Sequence, residues 1–282
     1  MKTSIIAEIG QAHDGSLGLL HSYIDALAEC GVDVIKFQTH IASAESSEFE
    51  NFRIKFSFED KTRFDYWKRM EFTKEQWFNI KTHCENLGIE FLSSPFSLAA
   101  VELLEEINVK RYKVGSGEVS NFLILEKIAK TKKPILLSSG MSSYDELDAA
   151  IAFLESFNSN ISIFQCNTEY PTAAENIGLN VVSEMLQRYD YPIGLSDHSG
   201  EIYSSLAAVS LGASLIEVHS VFDKKMFGPD TSSSLTINQL SQLVKGIRFI
   251  EKSINNPVNK DDTNRFFELK SIFEKSLAVN KN

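Results

Sequence analysis

Two histidines close short apolar runs in the second half of the chain. Residues 192–198 end in His198, and residues 213–219 end in His219. An Ala- and Leu-rich stretch between the runs predicts a helix, so the runs are expected to be neighbouring parallel strands. Imidazoles at two such strand ends point into the same space, which suits a divalent metal or acid–base catalysis. Nitrogen and oxygen ligands favour Mn²⁺, Zn²⁺, Co²⁺ or Fe²⁺ over Mg²⁺. The carboxylates expected nearby are Glu8, Asp197, Glu217 and Asp230.

Two lysines follow apolar residues at predicted strand ends in the first half of the chain, at Lys36 and Lys113. With neighbouring hydroxyls they suit a small dianion that carries phosphate and carboxylate, because lysine supplies a point charge and hydroxyls supply directional donors. The alternative is that each lysine pairs with a strand-end carboxylate and is only structural. The hydroxyls belong to Ser94, Ser116, Ser138 and Ser196.

The elements that must position these residues are short β-rich runs alternating with helical stretches. We count eight such runs, which is the number that closes a (β/α)8 TIM barrel with its functional residues at the C-terminal strand ends. An open doubly wound sheet would more often carry a Gly-x-Gly-x-x-Gly turn, and Gly115-Ser116-Gly117 lacks the third glycine. The predicted strands cover residues 5–9, 32–37, 90–92, 111–114, 134–137, 161–164, 192–195 and 214–218.

The connection after the second predicted strand is unusually long. Residues 39–72 are rich in charge and in aromatic side chains, which argues against disorder. We expect a folded excursion, with a short helix over 60–70, that covers the barrel mouth or meets a partner. We expect a single-domain α/β barrel over residues 1–255, followed by a C-terminal helical extension over 256–282.

The composition of the 282-residue chain, 43% hydrophobic and 23% charged, is that of an ordinary globular protein. The net charge is −10 and no basic tract is present, so nucleic acid is not an expected partner. No run of about 18 apolar residues exists, so no membrane span is expected. Three cysteines without a pairing pattern predict free thiols in a reducing compartment, and the cytoplasm is the expected location.

An ordered series of short motifs covers nearly the whole chain. Those in the first half are Ile6-Ala-Glu-Ile-Gly10 with His13 and Gly15, Val34-Ile-Lys-Phe-Gln38, Glu90-Phe-Leu-Ser-Ser-Pro-Phe96 and Tyr112-Lys-Val-Gly-Ser-Gly-Glu118. Those in the second half are Leu137-Ser-Ser-Gly-Met141, Cys166 with Tyr170-Pro171-Thr172, Ser196-Asp-His198, Glu217-Val-His219 and Gly228-Pro-Asp230. The series resembles the sialic acid synthase family, which condenses phosphoenolpyruvate with an N-acetylated hexosamine. N-acetylmannosamine or a relative is the usual sugar, the product is a nonulosonic acid, and phosphate leaves by C–O cleavage.

The resemblance implies roles for the residues that match these motifs. His198 and His219 would hold a divalent metal, with Mn²⁺ expected first and Mg²⁺ or Co²⁺ as alternatives, to polarise the sugar aldehyde. Glu118 would handle the water at C2 or the departing phosphate. The sugar or the metal-bound water would be contacted by Glu8, Gln38 and Asp230. The phosphoenolpyruvate site would be lined by Lys36, Ser94, Lys113, Ser116, Ser138, Thr168, Tyr170 and Ser196.

Departures from the family's pattern concern the sugar and the end of the chain. Thr168 replaces a frequent asparagine and Val218 a frequent lysine, which bears on the choice of sugar. Family members usually continue into an antifreeze-like domain that completes the sugar site of a partner, and residues 275–279 resemble the junction to it. The resemblance implies a homodimer, weakened if this cap is missing. Two alternatives remain open: a Schiff-base aldolase using Lys36 or Lys113, and a barrel that is inactive without a separate cap domain.

Overall fold

Among residues 2–52 and 55–275, which the computed structural model describes, eight parallel strands follow one another around a closed barrel. Each strand pairs with the next along the chain, and the eighth pairs with the first, which places Glu8 opposite His219. The predicted (β/α)8 barrel is therefore confirmed. The strands are β1 Ser4–Glu8, β2 Val34–Thr39, β3 Glu90–Pro95, β4 Tyr112–Val114, β5 Ile135–Ser138, β6 Ile161–Cys166, β7 Ile193–Asp197 and β8 Leu215–Val221.

Helices cover the outside of the barrel, and a short strand, β9 Leu235–Thr236, pairs with the end of β8. The helices are α1 Leu17–Cys30, α2 Ala42–Glu45, α3 Arg63–Met70, α4 Lys74–Asn86, α5 Leu98–Glu106, α6 Phe122–Lys130, α7 Tyr144–Glu155, α8 Leu179–Arg188, α9 Tyr203–Leu211, α10 Ile237–Asn255 and α11 Phe267–Phe273. Local sequence sets their ends. The hydroxyl of Ser16 accepts the Leu19 amide at the start of α1, and Gly31 ends that helix at a left-handed φ of 80°.

The barrel interior has a hydrophobic layer with a polar layer above it. The hydrophobic layer consists of Ile6, Val34, Leu92, Leu136, Phe164 and Leu215. Side chains alternate along a strand, so the residue two positions later points inward again, nearer the C-terminal mouth. In β1, β2 and β8 that residue is Glu8, Lys36 and Glu217, and all three are buried. The sheet geometry thus places charged side chains directly above the hydrophobic layer, on the side of the C-terminal mouth.

Several strands run further than predicted. β2 ends at Thr39, β7 at Asp197 and β8 at Val221, each two or three residues beyond its predicted end. The ends of β2 and β7 continue the barrel ladder of backbone hydrogen bonds although polar side chains occur there, and the last residues of β8 pair with β9. Gln38 and His219 are consequently strand residues, with the restricted orientation that a sheet imposes.

The long connection after β2 is folded, and it contains α2 and α3. The predicted helix over 60–70 begins later because Thr62 is its N-cap, in a capping box. Arg69 anchors α3, since its guanidinium lies 2.8 Å from Asp60 Oδ2 and 2.6 Å from Asp14 Oδ1. The excursion is thereby tied to the loop that follows β1.

The C-terminal extension contains less regular helix than its sequence suggested. The helical stretch expected there is a 3-10 turn, Asn264–Phe266, followed by α11. The junction-like stretch over 275–279 lies almost entirely outside the described residues. The division at residue 255 stays a prediction. Within the described ranges, no helix has both the length and the apolar character needed to cross a membrane.

Candidate active site

A cavity of about 480 Å³ opens at the C-terminal ends of the barrel strands. The catalytic and binding residues proposed from the sequence line this cavity, although their individual roles stay predictions. They are Glu8, Lys36, Gln38, Ser94, Lys113, Ser116, Glu118, Ser138, Thr168, Tyr170, Ser196, His198, His219 and Asp230. Asp197, also expected near the histidines, is not among the lining residues and instead accepts hydrogen bonds from Ser199, Ser204 and Ser205.

Two buried lysines converge on one carboxylate oxygen. Lys36 Nζ lies 2.9 Å and Lys113 Nζ lies 2.7 Å from Glu217 Oε1, and Ser196 Oγ donates to the same atom at 3.0 Å. The pairing that the structural alternative expected is therefore present. Each ammonium has three donors and both lysines line the cavity, so the pairing leaves donors for a bound anion.

Glu8 connects the lysine cluster to the histidine pair. Its Oε2 lies 3.0 Å from Lys36 Nζ and 3.1 Å from His219 Nε2. Its Oε1 accepts a hydrogen bond from Gln38 Nε2 at 2.9 Å. This position follows from barrel closure, because β1 lies between β2 and β8. The carboxylate is therefore shared by both halves of the cavity.

Burial and charge together set the protonation of this cluster. Burial opposes the charge on Glu217, but Lys113 and Lys36 outweigh it and hold the carboxyl pKa well below its ordinary value. Burial also opposes the charge on Glu8, and His219 and Lys36 outweigh it and lower that pKa. Burial lowers the pKa of Lys113, whereas at Lys36 the two carboxylates outweigh burial and raise the pKa. Lys113 is therefore the lysine that loses its proton more readily.

Hydrogen bonds fix which nitrogen of His198 carries a proton. Its Nδ1 lies 2.7 Å from the backbone oxygen of Asn167, which can only accept, so Nδ1 donates. Nε2 lies 3.1 Å from the hydroxyl of Tyr170, which can donate to it or accept from it. The ring centroids of His198 and His219 are 5.3 Å apart. The two imidazoles therefore line the cavity side by side.

The donor types around the histidine pair fit a divalent cation. Glu8 and Asp230 add carboxylate oxygens, and Asp230 Oδ2 lies 3.9 Å from His219 Nδ1. In the described part of the chain, no three His, Cys, Asp or Glu side chains are already grouped closely enough to hold a metal ion. A metal on His198 Nε2 would replace the hydrogen bond with Tyr170.

Two hydroxyls flank Gly140 in the loop after β5. A Cβ on this glycine would stand 2.6 Å from Ser116 Oγ and 2.8 Å from Thr168 Oγ1, so glycine is needed to leave both hydroxyls in place. Glu118 lies on the same 3-10 turn as Ser116, and its Oε2 accepts a hydrogen bond from Asn121 at 2.6 Å. This part of the cavity offers directional donors beside a partly exposed carboxylate.

The sequence did not reveal the central place of Glu217 or the cavity residues on the side of the excursion. The excursion contributes His40, Glu45, Glu50, Arg63 and Trp67, and Gln11 and Phe96 come from the loops after β1 and β3. For Glu217 a signal existed, because alternation along β8 points it inward with His219. For the excursion no periodic pattern exists, and its residues reach the cavity only through tertiary contacts.

A closed (β/α)8 barrel with charged side chains gathered at its C-terminal mouth is the architecture of a barrel enzyme. Residues 23–259 match the model of the NeuB family, and the chain belongs to that family. The resemblance drawn from the motifs is thereby confirmed.

Named relatives are similar over most of their length. The chain is 34% identical over 286 residues to N,N'-diacetyllegionaminic acid synthase of Campylobacter jejuni, covering 99% of this chain and 85% of that protein. It is 37% identical over 262 residues to N-acetylneuraminate-9-phosphate synthase of Homo sapiens, covering 91% and 72% respectively. The solved structure of N-acetylneuraminic acid synthetase from Leptospira borgpetersenii in complex with citrate superposes with a TM-score of 0.84 at 27% identity, over 98% of this chain and 94% of that one.

Proposed function

We propose that this chain condenses phosphoenolpyruvate with an N-acetylated hexosamine to give a nonulosonic acid and phosphate. The observation that carries the proposal is that two buried ammonium groups and two imidazoles line one cavity in a member of the NeuB family. Ammonium groups suit carboxylate and phosphate, and imidazoles suit the activation of an aldehyde. Relatives named as synthases of legionaminic and neuraminic acids support the assignment.

The phosphoenolpyruvate half of the cavity uses the lysines and the hydroxyls. Lys36 and Lys113 provide charge, and the flanking hydroxyls of Ser116 and Thr168 provide donors in fixed directions. The remaining members of this half are Ser94, Ser138, Tyr170 and Ser196.

The reaction joins two carbons and breaks one C–O bond. Carbon 3 of phosphoenolpyruvate attacks the sugar aldehyde carbon, and water adds at C2. The bond between C2 and the bridging oxygen then breaks, so phosphate leaves with that oxygen. Glu118, partly exposed at the cavity wall, is the residue we assign to the water or to the departing phosphate. The ionised Glu8, together with Gln38 and Asp230, holds the sugar in reach of C3.

A divalent metal is part of the proposal, with Mn²⁺ first and Mg²⁺ or Co²⁺ as alternatives. His198 and His219 would hold it, because their rings lie side by side in the cavity, the backbone oxygen of Asn167 occupies only Nδ1 of His198, and His219 lies beside two carboxylates. When bound, the metal would polarise the aldehyde oxygen of the sugar.

A phosphate-release assay tests the proposal. Purified protein is incubated with Mn²⁺, phosphoenolpyruvate and a panel of N-acetylated hexosamines and their 6-phosphates. We expect phosphate only when both substrates are present, together with a product of the condensed mass. With ¹⁸O in the bridging position of phosphoenolpyruvate, the label is expected in the phosphate. Label in the organic product would contradict C–O cleavage. Absence of phosphate with every sugar would favour a barrel that needs a separate cap.

A Schiff-base aldolase is the second candidate, because burial lowers the pKa of Lys113 and so favours its reactive amine. Borohydride treatment with pyruvate distinguishes the two. A covalent adduct on Lys113 that is lost in Lys113→Arg would support the aldolase. Inactivation by EDTA with rescue by Mn²⁺ would count against it.

A homodimer and a cytoplasmic location complete the proposal. The free thiols of Cys30, Cys84 and Cys166 suit a reducing compartment. Light scattering of the purified chain tests the dimer, and a monomeric mass at micromolar concentration would contradict it.

A further inference from the structure

A stacked histidine joins the excursion to the sugar half of the cavity. His40 follows β2 and is 4% exposed. Its ring lies between Trp67, with centroids 3.9 Å apart, and Phe96, with centroids 4.5 Å apart. Trp67 belongs to α3 and Phe96 follows β3, so the stack holds the excursion against the barrel.

Gln38 is hydrogen bonded at both ends of its carboxamide. Its Nε2 donates to Glu8 Oε1 at 2.9 Å, so its Oε1 points away from Glu8. That oxygen accepts from Gln11 Nε2 at 3.0 Å and from His40 Nε2 at 3.1 Å. The Tyr66 hydroxyl donates to Gln11 Oε1 at 2.6 Å, which fixes the amide of Gln11 as well. His40 Nε2 must therefore be a donor.

The second nitrogen of His40 contacts the excursion. Its Nδ1 lies 2.9 Å and 3.1 Å from the two carboxylate oxygens of Glu45 in α2. Both ring nitrogens thus face oxygen atoms, and aromatic rings close on both faces of the imidazole. A continuous series of contacts runs from Glu45 through His40 and Gln38 to Glu8.

We propose that His40 is a positioning residue that holds the Gln38 carboxamide in its sugar-binding orientation and makes that orientation depend on the excursion. The inference rests on the proposed function, in which Gln38 contacts the sugar. The effect should be selective for the sugar, because the two lysines assigned to phosphoenolpyruvate are held by other atoms: Lys36 contacts the second oxygen of Glu8, and Lys113 contacts Glu217.

Two substitutions of His40 separate its two hydrogen bonds. Glutamine places an amide donor near the position of Nε2, and asparagine places one near Nδ1. We expect His40→Gln to keep the sugar KM within about threefold of the wild type, and His40→Asn to raise it about tenfold. The KM for phosphoenolpyruvate is expected to be unchanged in both. Equal rises of the sugar KM in the two variants, or a parallel rise for phosphoenolpyruvate, would overturn the inference.

Crystal structures of both variants give a readout that needs no activity. Gln38 Nε2 is expected to remain within hydrogen-bond distance of Glu8 in His40→Gln and to leave it in His40→Asn. If Gln38 keeps its contact with Glu8 in both variants, the inference is wrong. This outcome is independent of the activity assay, in which a wild type that releases no phosphate would contradict the proposed function instead. If His40→Asn does not fold, Glu45→Ala is the second variant, because it removes the hydrogen-bond partner of His40 Nδ1. An unchanged sugar KM in Glu45→Ala, or a Gln38 amide that has not moved, would equally contradict the inference.

Discussion

Lys113 Nζ lies 2.7 Å from Glu217 Oε1, and both side chains are only 2% exposed. The other carboxylate oxygen of Glu217 is buried and has no hydrogen-bond partner among residues 2–52 and 55–275. A buried acceptor of this kind is costly to leave unsatisfied. That cost falls on the carboxylate whose other oxygen holds both ammonium groups, so the pairing with Lys36 and Lys113 has to outweigh it.

Glu217→Gln removes the charge that two lysines share. We expect the free energy of unfolding to fall by about 3–5 kcal/mol, because buried ammonium groups lose their counter-charge. Added phosphate is expected to restore part of the loss by binding there. Urea unfolding with and without phosphate measures both effects. Glu102→Gln, which removes an exposed ion pair with Lys127, is the control and should cost less than about 1 kcal/mol. Equal losses in the two variants would contradict the prediction.

Gly140→Ala tests the hydroxyl cluster. The added methyl group would displace Ser116 and Thr168, so we expect the KM for phosphoenolpyruvate to rise about tenfold or more, with the sugar KM little changed. Gly18→Ala is the control, because a Cβ there meets no atom within 4 Å. Steady-state kinetics with each substrate varied in turn provide the measurement. If only the sugar KM rises, the assignment of these two hydroxyls to phosphoenolpyruvate is wrong.

His198→Ala and His219→Ala are each expected to abolish Mn²⁺ binding, since each removes one of the two proposed nitrogen ligands. Metal content after dialysis, measured by atomic emission, gives the result without an activity assay. His83→Ala is the control, because His83 lies on α4 and pairs with Asp25 outside the cavity. Stoichiometric metal in either cavity variant would disprove the ligand assignment.

Strand order and strand ends were enough to predict the barrel, the two lysines, the serines and the histidine pair, while the other site residues came from the family resemblance. Lys36 and Lys113 could be placed because each follows an apolar run, and a closed barrel turns every such strand end toward one mouth. Glu8 and His219 lie far apart in sequence, yet barrel closure makes them neighbours. Fold class and this part of the site therefore came from the same pattern.

The contribution of the excursion could not be read in this way. His40 becomes a cavity residue only because Trp67 and Phe96 close on its two faces. No periodicity links those positions, and the hydrogen bond to Glu45 depends on a helix of four residues. Such contacts are set by tertiary packing of an irregular segment, which a sequence pattern does not encode.

Acid should destabilise the protein through His13. Burial, with the nearby charges of His40 and Arg69, lowers the pKa of His13 from 6.5 to about 3. The unfolded chain therefore takes up the proton first. Stability is fully present above about pH 6.5 and falls below it, by up to about 1.4 kcal/mol per pH unit from this group. Nδ1 also accepts the Gly15 amide, a bond that protonation would break.

His13→Asn supplies the control for this effect, since its side-chain oxygen can still accept the Gly15 amide but does not titrate. In urea unfolding at pH 7, 6 and 5, the free energy of unfolding is expected to fall less steeply with decreasing pH for the variant than for the wild type. Identical slopes for the two proteins would assign the acid sensitivity to other groups.

Arg69→Gln should loosen the excursion, because the guanidinium ties α3 to both Asp14 and Asp60. We expect faster backbone amide exchange over residues 55–62 and a loss of about 1.5–3 kcal/mol in the free energy of unfolding. Hydrogen exchange with mass spectrometry measures the first effect. Lys68→Gln on the same helix removes only an exposed ion pair with Glu71 and should leave exchange unchanged. Unchanged exchange in Arg69→Gln as well would show that other contacts hold the excursion.

The distance along the chain between the partners of the charged cluster has a consequence during synthesis. Lys36 and Glu217 are separated by 181 positions, and the strand that carries Glu217 closes the barrel. A nascent chain therefore exposes both lysines long before the ribosome has made the carboxylate that joins them. Translation that ends before β8, or a nick that releases the last strand, yields a protein with the cations but without their organising anion. The proposed anion site is therefore complete only when the barrel itself is complete.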